Sequence, residues 1–238
     1  MTQAIQHKGS AAKTLIVGLG ATGLSCVRFL AAQGVQLAVA DSRKAPPGLD
    51  AMNSEHPDIA VFLGPFDDRL FDSADRIVVS PGVPISTPQI TAAHRRGVPV
   101  IGDTELFVAA ANAPIVAITG SNGKSTVTTL LGDMARASGL RVAVGGNLGT
   151  PALDLLDDAV ELYVLELSSF QLETTESLQA AVAAVLNVSP DHMDRYGDAV
   201  EYAAAQARFL RGGGVGVYTA DDPAVAAKGG AVGAGYCT

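Results

Sequence analysis

The stretch Ile115-Val-Ala-Ile-Thr119-Gly120-Ser121-Asn122-Gly123-Lys124-Ser125-Thr126 decides how this chain is read. Its first five residues are a short β-branched run suited to a buried strand. Two glycines then break the pattern, and Lys-Ser-Thr opens a helical one. Strand, glycine loop and helix in that order make a concavity into which backbone N–H groups point. Lys124 adds a mobile ammonium, and the Ser125 hydroxyl is the kind of oxygen that sits on Mg²⁺. A nucleoside triphosphate is the ligand this chemistry fits, with Gly120, Ser121, Asn122, Gly123, Lys124, Ser125 and Thr126 as its candidate binding residues. The strict spacing of a phosphate loop needs a glycine where Ile118 stands, so the match is to a shortened form, Thr119-Gly120-x-x-Gly123-Lys124-Ser125.

Outward from that loop the same logic repeats. Residues 141–144, 161–165, 182–188 and 215–219 read as further strands, and residues 124–138 as the helix after the loop. Upstream, residues 14–18, 35–40, 60–63, 76–80 and 98–101 read as another strand series. Residues 22–33 carry Leu24, Val27, Leu30 and Ala31 on one helical face and stop at Gly34. Alternating strands and helices predict an α/β fold of two parallel sheets covered by helices, with the boundary near residues 109–114.

Composition supports two such bodies. The chain has 238 residues, 48% of them hydrophobic, enough for a real core. Charged residues make up 17% and the net charge is −8, with no Lys/Arg cluster beyond Arg95-Arg96, which argues against a nucleic-acid partner. Residues 1–13 lack an apolar core, and no apolar run reaches the ~18 residues of a membrane span, so the chain reads as cytoplasmic with no membrane contact. Two cysteines, Cys26 and Cys237, suggest neither a disulfide framework nor a zinc site.

Several strand ends carry chemistry. Gly18-Leu19-Gly20-Ala21-Thr22-Gly23 follows the first strand, and Asp41 closes the second 18 residues after Gly23. That is the pattern of a dinucleotide fingerprint, in which the acid accepts from a ribose or base, and any nucleotide diphosphate uses the same geometry. Pro81-Gly82-Val83-Pro84 is a rigid turn at the same carboxyl edge. Gly145-Gly146-Asn147-Leu148-Gly149 lets backbone approach the phosphate loop. Glu166 ends a buried strand, where a carboxylate needs a partner or a metal, and a Mg²⁺ shared with Ser125 would satisfy it. Asn187-Val-Ser-Pro-Asp191-His192-Met-Asp194-Arg195-Tyr196 gathers two acids, an imidazole and a guanidinium. From the residues alone, a nicotinamide-dependent oxidoreductase built on the first glycine loop and a non-catalytic nucleotide-binding module both remain open.

The strings at 119–128, 145–149, 166–174 and 191–196 resemble the Mur ligase family, and the likeness runs over residues 14–222. It implies a Rossmann-like UDP-sugar domain over residues 1–111 and a P-loop ATPase-type central domain over residues 112–238. The central domain is expected to be incomplete, with a C-terminal domain outside this sequence. Residues 161–175 are nearest to the branch that adds glutamate, usually the D-form, to UDP-N-acetylmuramoyl-L-alanine through an acyl phosphate in peptidoglycan precursor synthesis. The partners so implied are UDP-N-acetylmuramoyl-L-alanine, ATP, Mg²⁺ and glutamate, bound by a monomer.

Carried over residue by residue, the resemblance assigns Gly20, Ala21, Thr22, Gly23, Asp41, Ser42, Arg43 and Gly82 to the uridine and diphosphate. Asn147, Ser168 and His192 would line the reacting end of the sugar-peptide. Lys124, Glu166 and His192 form the implied catalytic set, with Ser125 and Glu166 on one Mg²⁺ and His192 on a second. Gln206 stands where the family commonly has a lysine that becomes carbamylated and binds that second Mg²⁺. A glutamine cannot take up the carbamate, and its amide oxygen would be a neutral and weaker ligand for that ion. With the adenine-contacting segment and the C-terminal domain expected outside this sequence, the chain alone is expected not to complete a turnover.

Overall fold

The computed structural model describes residues 12–188 and 214–218. These fall into two compact units, residues 1–78 with 85–100, and residues 79–84 with 101–238.

The first unit is built on a five-stranded sheet of β1 (Lys13–Val17), β2 (Gln36–Asp41), β3 (Ala60–Leu63), β4 (Arg76–Val79) and β5 (Val100–Ile101), in the order β3-β2-β1-β4-β5. β1 pairs in parallel with β2, and β2 with β3. Helices α1 (Ala21–Ala32), α2 (Leu49–Glu55), α3 (Asp68–Asp72) and α4 (Pro88–Arg95) connect the strands. Ile16, Val17, Val27, Val39, Met52 and Ile77 are fully buried between sheet and helices. α1 lies with the face expected from the sequence inward, Leu24, Val27 and Leu30 all being buried. The chain leaves β1 toward β2 on one side, and β4 lies on the other. β1 is therefore the strand at which the order reverses, and the crevice outside its carboxyl end is where an open α/β sheet takes a ligand.

The second unit has the same plan. Its strands are β6 (Ile115–Thr119), β7 (Val142–Gly146), β8 (Leu162–Glu166), β9 (Val182–Val185) and β10 (Val215–Tyr218), in the order β10-β9-β6-β8-β7, and every neighbouring pair is parallel. Its helices are α5 (Asp103–Ala110), α6 (Lys124–Ala137) and α7 (Ser169–Glu173). Val116, Ile118 and Val164 form the centre of the core, with Val127 and Leu131 of α6 packed on it. β6 is the reversal strand here, between β8 and β9, and the phosphate loop leaves its carboxyl end.

The sequence reading put the boundary at 111/112, whereas α5 groups with the second unit. Asp103 bonds Gln171, Glu105 accepts the N–H groups of Glu176 and Ser177, and Phe107 meets Tyr163 edge to face at 5.0 Å. Among the described residues, no helix is long and apolar enough to cross a membrane.

Candidate active site

In the second unit Thr119 is fully buried, and the chain then turns through Gly120 and Gly123 into α6. Gly123 precedes the helix at φ +81, left-handed backbone that a side chain would strain. No side-chain cap closes the N-terminus of α6, and no acid lies in its first turn. Lys124, Ser125 and Thr126 therefore present N–H groups without helical acceptors at the positive end of the helix dipole, the requirement of a phosphate site. The Lys124 ammonium donates to the carbonyls of Gly120 at 2.7 Å and Ser121 at 3.0 Å, and so lies over the loop.

Glu166 is brought to the same place by register. On β8 it stands opposite Ile118 of β6 and Gly146 of β7, and it is 3% exposed. Its Oε2 accepts from the Ser125 hydroxyl at 2.7 Å and its Oε1 from the Asn147 side-chain amide at 2.9 Å. The Asn147 backbone N–H also bonds the Glu166 carbonyl at 2.8 Å. Each carboxylate oxygen of a nearly dry group thus has a donor, which lets the charge remain in a buried position.

The Ser125 hydroxyl and the Glu166 carboxylate are hard oxygen donors within hydrogen-bond distance of each other beside a phosphate cradle. They fit Mg²⁺, which is commonly held by one or two protein oxygens together with substrate phosphates rather than by an all-protein cage. Among the described residues, no group of three or more His, Cys, Asp or Glu side chains is arranged for a metal. Ser168, assigned by resemblance to the sugar-peptide, caps α7: its hydroxyl accepts from the Gln171 N–H, while the Gln171 amide oxygen accepts from the Ser168 N–H. His192 and Gln206 lie outside the described residues.

In the first unit, Gly20 is the N-cap of α1, with open space where a Cβ would stand, and α1 likewise has neither a side-chain cap nor an acid in its first turn. Gly23 is buried in that turn, while Ala21 is exposed and Thr22 half-buried. Asp41 is buried, and both of its carboxylate oxygens are engaged. Its Oδ2 accepts from the Leu19 N–H at 2.7 Å and from Arg43 Nη2 at 2.6 Å, and its Oδ1 from the Arg43 N–H and Nε at 2.8 and 2.9 Å. Burial pushes its pKa up, but the hydrogen bonds from Arg43 and Leu19 and the Arg43 charge outweigh it and bring Asp41 from 3.8 to about 2. Asp41 organises the glycine loop and Arg43, and Arg43 and Ser42 are the exposed groups. Gly82 is exposed in the turn after β4 and belongs to the segment 79–84 that groups with the second unit.

The structure thus assembles Lys124, Ser125, Asn147 and Glu166 around one loop, and Gly20, Ala21, Thr22 and Asp41 around another. Asn187, to which the sequence assigns no role, contacts the phosphate loop directly. No local signal marks it, because its partner is 65 residues away.

A profile of the N-terminal domain of MurD-like Mur ligases matches residues 12–102, and a profile of the Mur ligase middle domain matches residues 118–233. The UDP-N-acetylmuramoylalanine–D-glutamate ligase of Marinobacter nauticus is 60% identical over 210 residues, which is 88% of this chain and 47% of that protein. The enzyme of the same name from Methylobacillus flagellatus is 58% identical over 212 residues, again 88% of this chain and 47% of that protein. The chain spans about half the length of the curated relatives it matches. Among solved structures, UDP-N-acetylmuramate:L-alanyl-gamma-D-glutamyl-meso-diaminopimelate ligase from Neisseria meningitides is similar at a TM-score of 0.61 and 17% identity, over 95% of this chain and 78% of that one. UDP-N-acetylmuramate-alanine ligase from Thermotoga maritima gives 0.55 and 19%, over 91% and 51%. At these identities the likeness is one of fold.

Proposed function

The chain belongs to the Mur ligase family, and from that premise we propose that it supplies the sugar-nucleotide and phosphate sites of a cytoplasmic, ATP-dependent ligase. That ligase joins glutamate, usually the D-form, to UDP-N-acetylmuramoyl-L-alanine in peptidoglycan precursor synthesis. The observation that carries this reading is the contact of Ser125, Asn147 and Glu166 at the mouth of an uncapped phosphate loop. A nicotinamide-dependent oxidoreductase leaves that whole assembly without a task.

In the proposed reaction the γ-phosphoryl group of ATP passes to the terminal carboxylate of the sugar-peptide, with ADP leaving. The glutamate amine then attacks the acyl phosphate, an amide forms, and phosphate and a proton depart. Two anions must meet, so catalysis consists chiefly of positioning and charge neutralisation. Lys124 would exchange the carbonyls of Gly120 and Ser121 for phosphate oxygens. The first-turn N–H groups of α6 would hold the triphosphate from one side. Ser125 and Glu166 would carry Mg²⁺, with Asn147 keeping the carboxylate aimed, and the bound ion would neutralise charge on the phosphoryl oxygens. In the first unit, Gly20, Ala21, Thr22 and Gly23 would take the diphosphate at the N-terminus of α1. Ser42 and Arg43 would take the uridine end, with Asp41 holding Arg43 in place. His192 and Ser168 are proposed for the reacting end of the sugar-peptide.

Thermal unfolding of the 238-residue chain with UDP-N-acetylmuramoyl-L-alanine, and separately with Mg·ATP, tests the reading. Ligand at a hundred times its Kd stabilises a folded chain by about 2.7 kcal/mol, an increase of several degrees in Tm. No shift with the sugar nucleotide at saturation would overturn the proposal. Gln206 favours a second reading, a binding module without turnover. Joining the chain to the remaining segment of a relative and assaying ADP release separates the two: a joined chain that binds both ligands yet releases no ADP when glutamate is added would be that module.

A further inference from the structure

Asn187 lies just past β9 and closes on the phosphate loop. Its carbonyl accepts the Ser121 N–H at 3.0 Å. Its side-chain Oδ1 accepts the Asn122 N–H at 2.9 Å, and its Nδ2 donates to the Asn122 carbonyl at 2.9 Å. Both hydrogen-bonding groups of residue 122 are therefore paired by one side chain, as a neighbouring strand would pair them. Gly120, at φ +142, packs against the same residue: a Cβ there would stand 3.1 Å from both N and O of Asn187. β9 itself is held to β6 up to this point, with the Leu186 N–H on the Thr119 carbonyl at 3.0 Å.

The N–H groups of Ser121 and Asn122, both expected from the sequence to face ATP, are thus engaged by Asn187. The donors left to a phosphate are those at the start of α6. We propose that Asn187 is the positioning residue of the phosphate loop, fixing the turn from Gly120 to Gly123 so that these donors converge before the ligand arrives. The proposal rests on the reading of this loop as a triphosphate site. A loop bounded by two left-handed glycines is free to adopt many shapes, and ordering it only on binding would weaken the complex.

Mg·ATP titrations of the 238-residue chain, followed through amide resonances, test this with Asn187→Ala and Asn187→Asp. Asn187→Ala is expected to bind Mg·ATP about tenfold more weakly, with faster hydrogen exchange at Asn122 and unchanged affinity for UDP-N-acetylmuramoyl-L-alanine. Asn187→Asp keeps an acceptor for the Asn122 N–H but sets a carboxylate against the Asn122 carbonyl, and the loss should be larger. Equal Mg·ATP affinity in wild type and a folded Asn187→Ala chain would overturn the proposal. If the alanine variant loses its far-UV spectrum, Asn187→Ser carries the same comparison with the same two outcomes. Wild-type chain that binds the sugar nucleotide but no Mg·ATP would overturn both the triphosphate reading and this inference.

Discussion

Asp41 shows how a carboxylate at a strand end is held by its own neighbours. An acid at the end of the second strand suggests a ribose acceptor, but its oxygens are engaged by Leu19 and Arg43, and its pKa is held at about 2. A carboxylate depressed below its unfolded value stabilises the fold above about pH 4, and that contribution is lost as pH falls toward 2. Arg43→Leu should therefore cost about 1 kcal/mol at neutral pH, a modest figure because the guanidinium is half exposed. The gap between variant and wild type in urea unfolding should close as pH falls from about 4 to 2. A gap of the same size at pH 2 as at pH 7 would mean that Arg43 acts by packing rather than by charge. Glu166 differs: its partners are Ser125 and Asn147, neither of them cationic. Both donors are neutral dipoles, an arrangement that suits the Mg²⁺ role proposed for this side chain.

At the scale of elements, β7 shows what glycine does at this site. Residues 145 and 146 read as loop because glycine weakens a strand, yet both are paired, Gly145 with Leu165 and Gly146 with Glu166. Gly146 lies at φ +101, and a Cβ there would overlap the Glu166 carbonyl. Close approach of the two strands is what lets Asn147 reach over Glu166. Gly146→Ala should cost about 3 kcal/mol in urea unfolding and, by displacing Glu166, weaken Mg·ATP binding while sparing the sugar nucleotide. A variant as stable as wild type would show that β7 can move aside at little cost. β9 makes the opposite point. Its apolar run to Val188 predicts a longer strand, but the strand stops at Val185, and Leu186 and Asn187 bond the end of β6 and the loop instead. Period and turn chemistry are local and are legible: the ten strands of the described residues and the loop 119–126 fall where the pattern puts them, within about two residues except at the end of β9, which stops three residues early. The Asn187 clamp and the allegiance of α5 depend on partners roughly 60 to 70 residues away, and no local pattern encodes them.

At the scale of the whole molecule, two parallel sheets repeat one device. Each places a glycine loop on its reversal strand, β1 or β6, and follows it with a helix whose first turn is bare. The formal charge of −8 opposes any polyanion, so attraction has to come from these helix ends and from single cations such as Lys124 and Arg43. Such helix ends do not distinguish a nucleotide from a simple oxyanion. Sulfate or phosphate in the buffer should therefore act as a counterfeit ligand, raising Tm above its value in chloride of equal ionic strength and making nucleotides look weaker than they are. Lys124→Ala, measured alongside, separates this occupancy from the general salting effect of sulfate. The working state of this chain is best weighed in a medium that offers it nothing to mistake for the ligands proposed here.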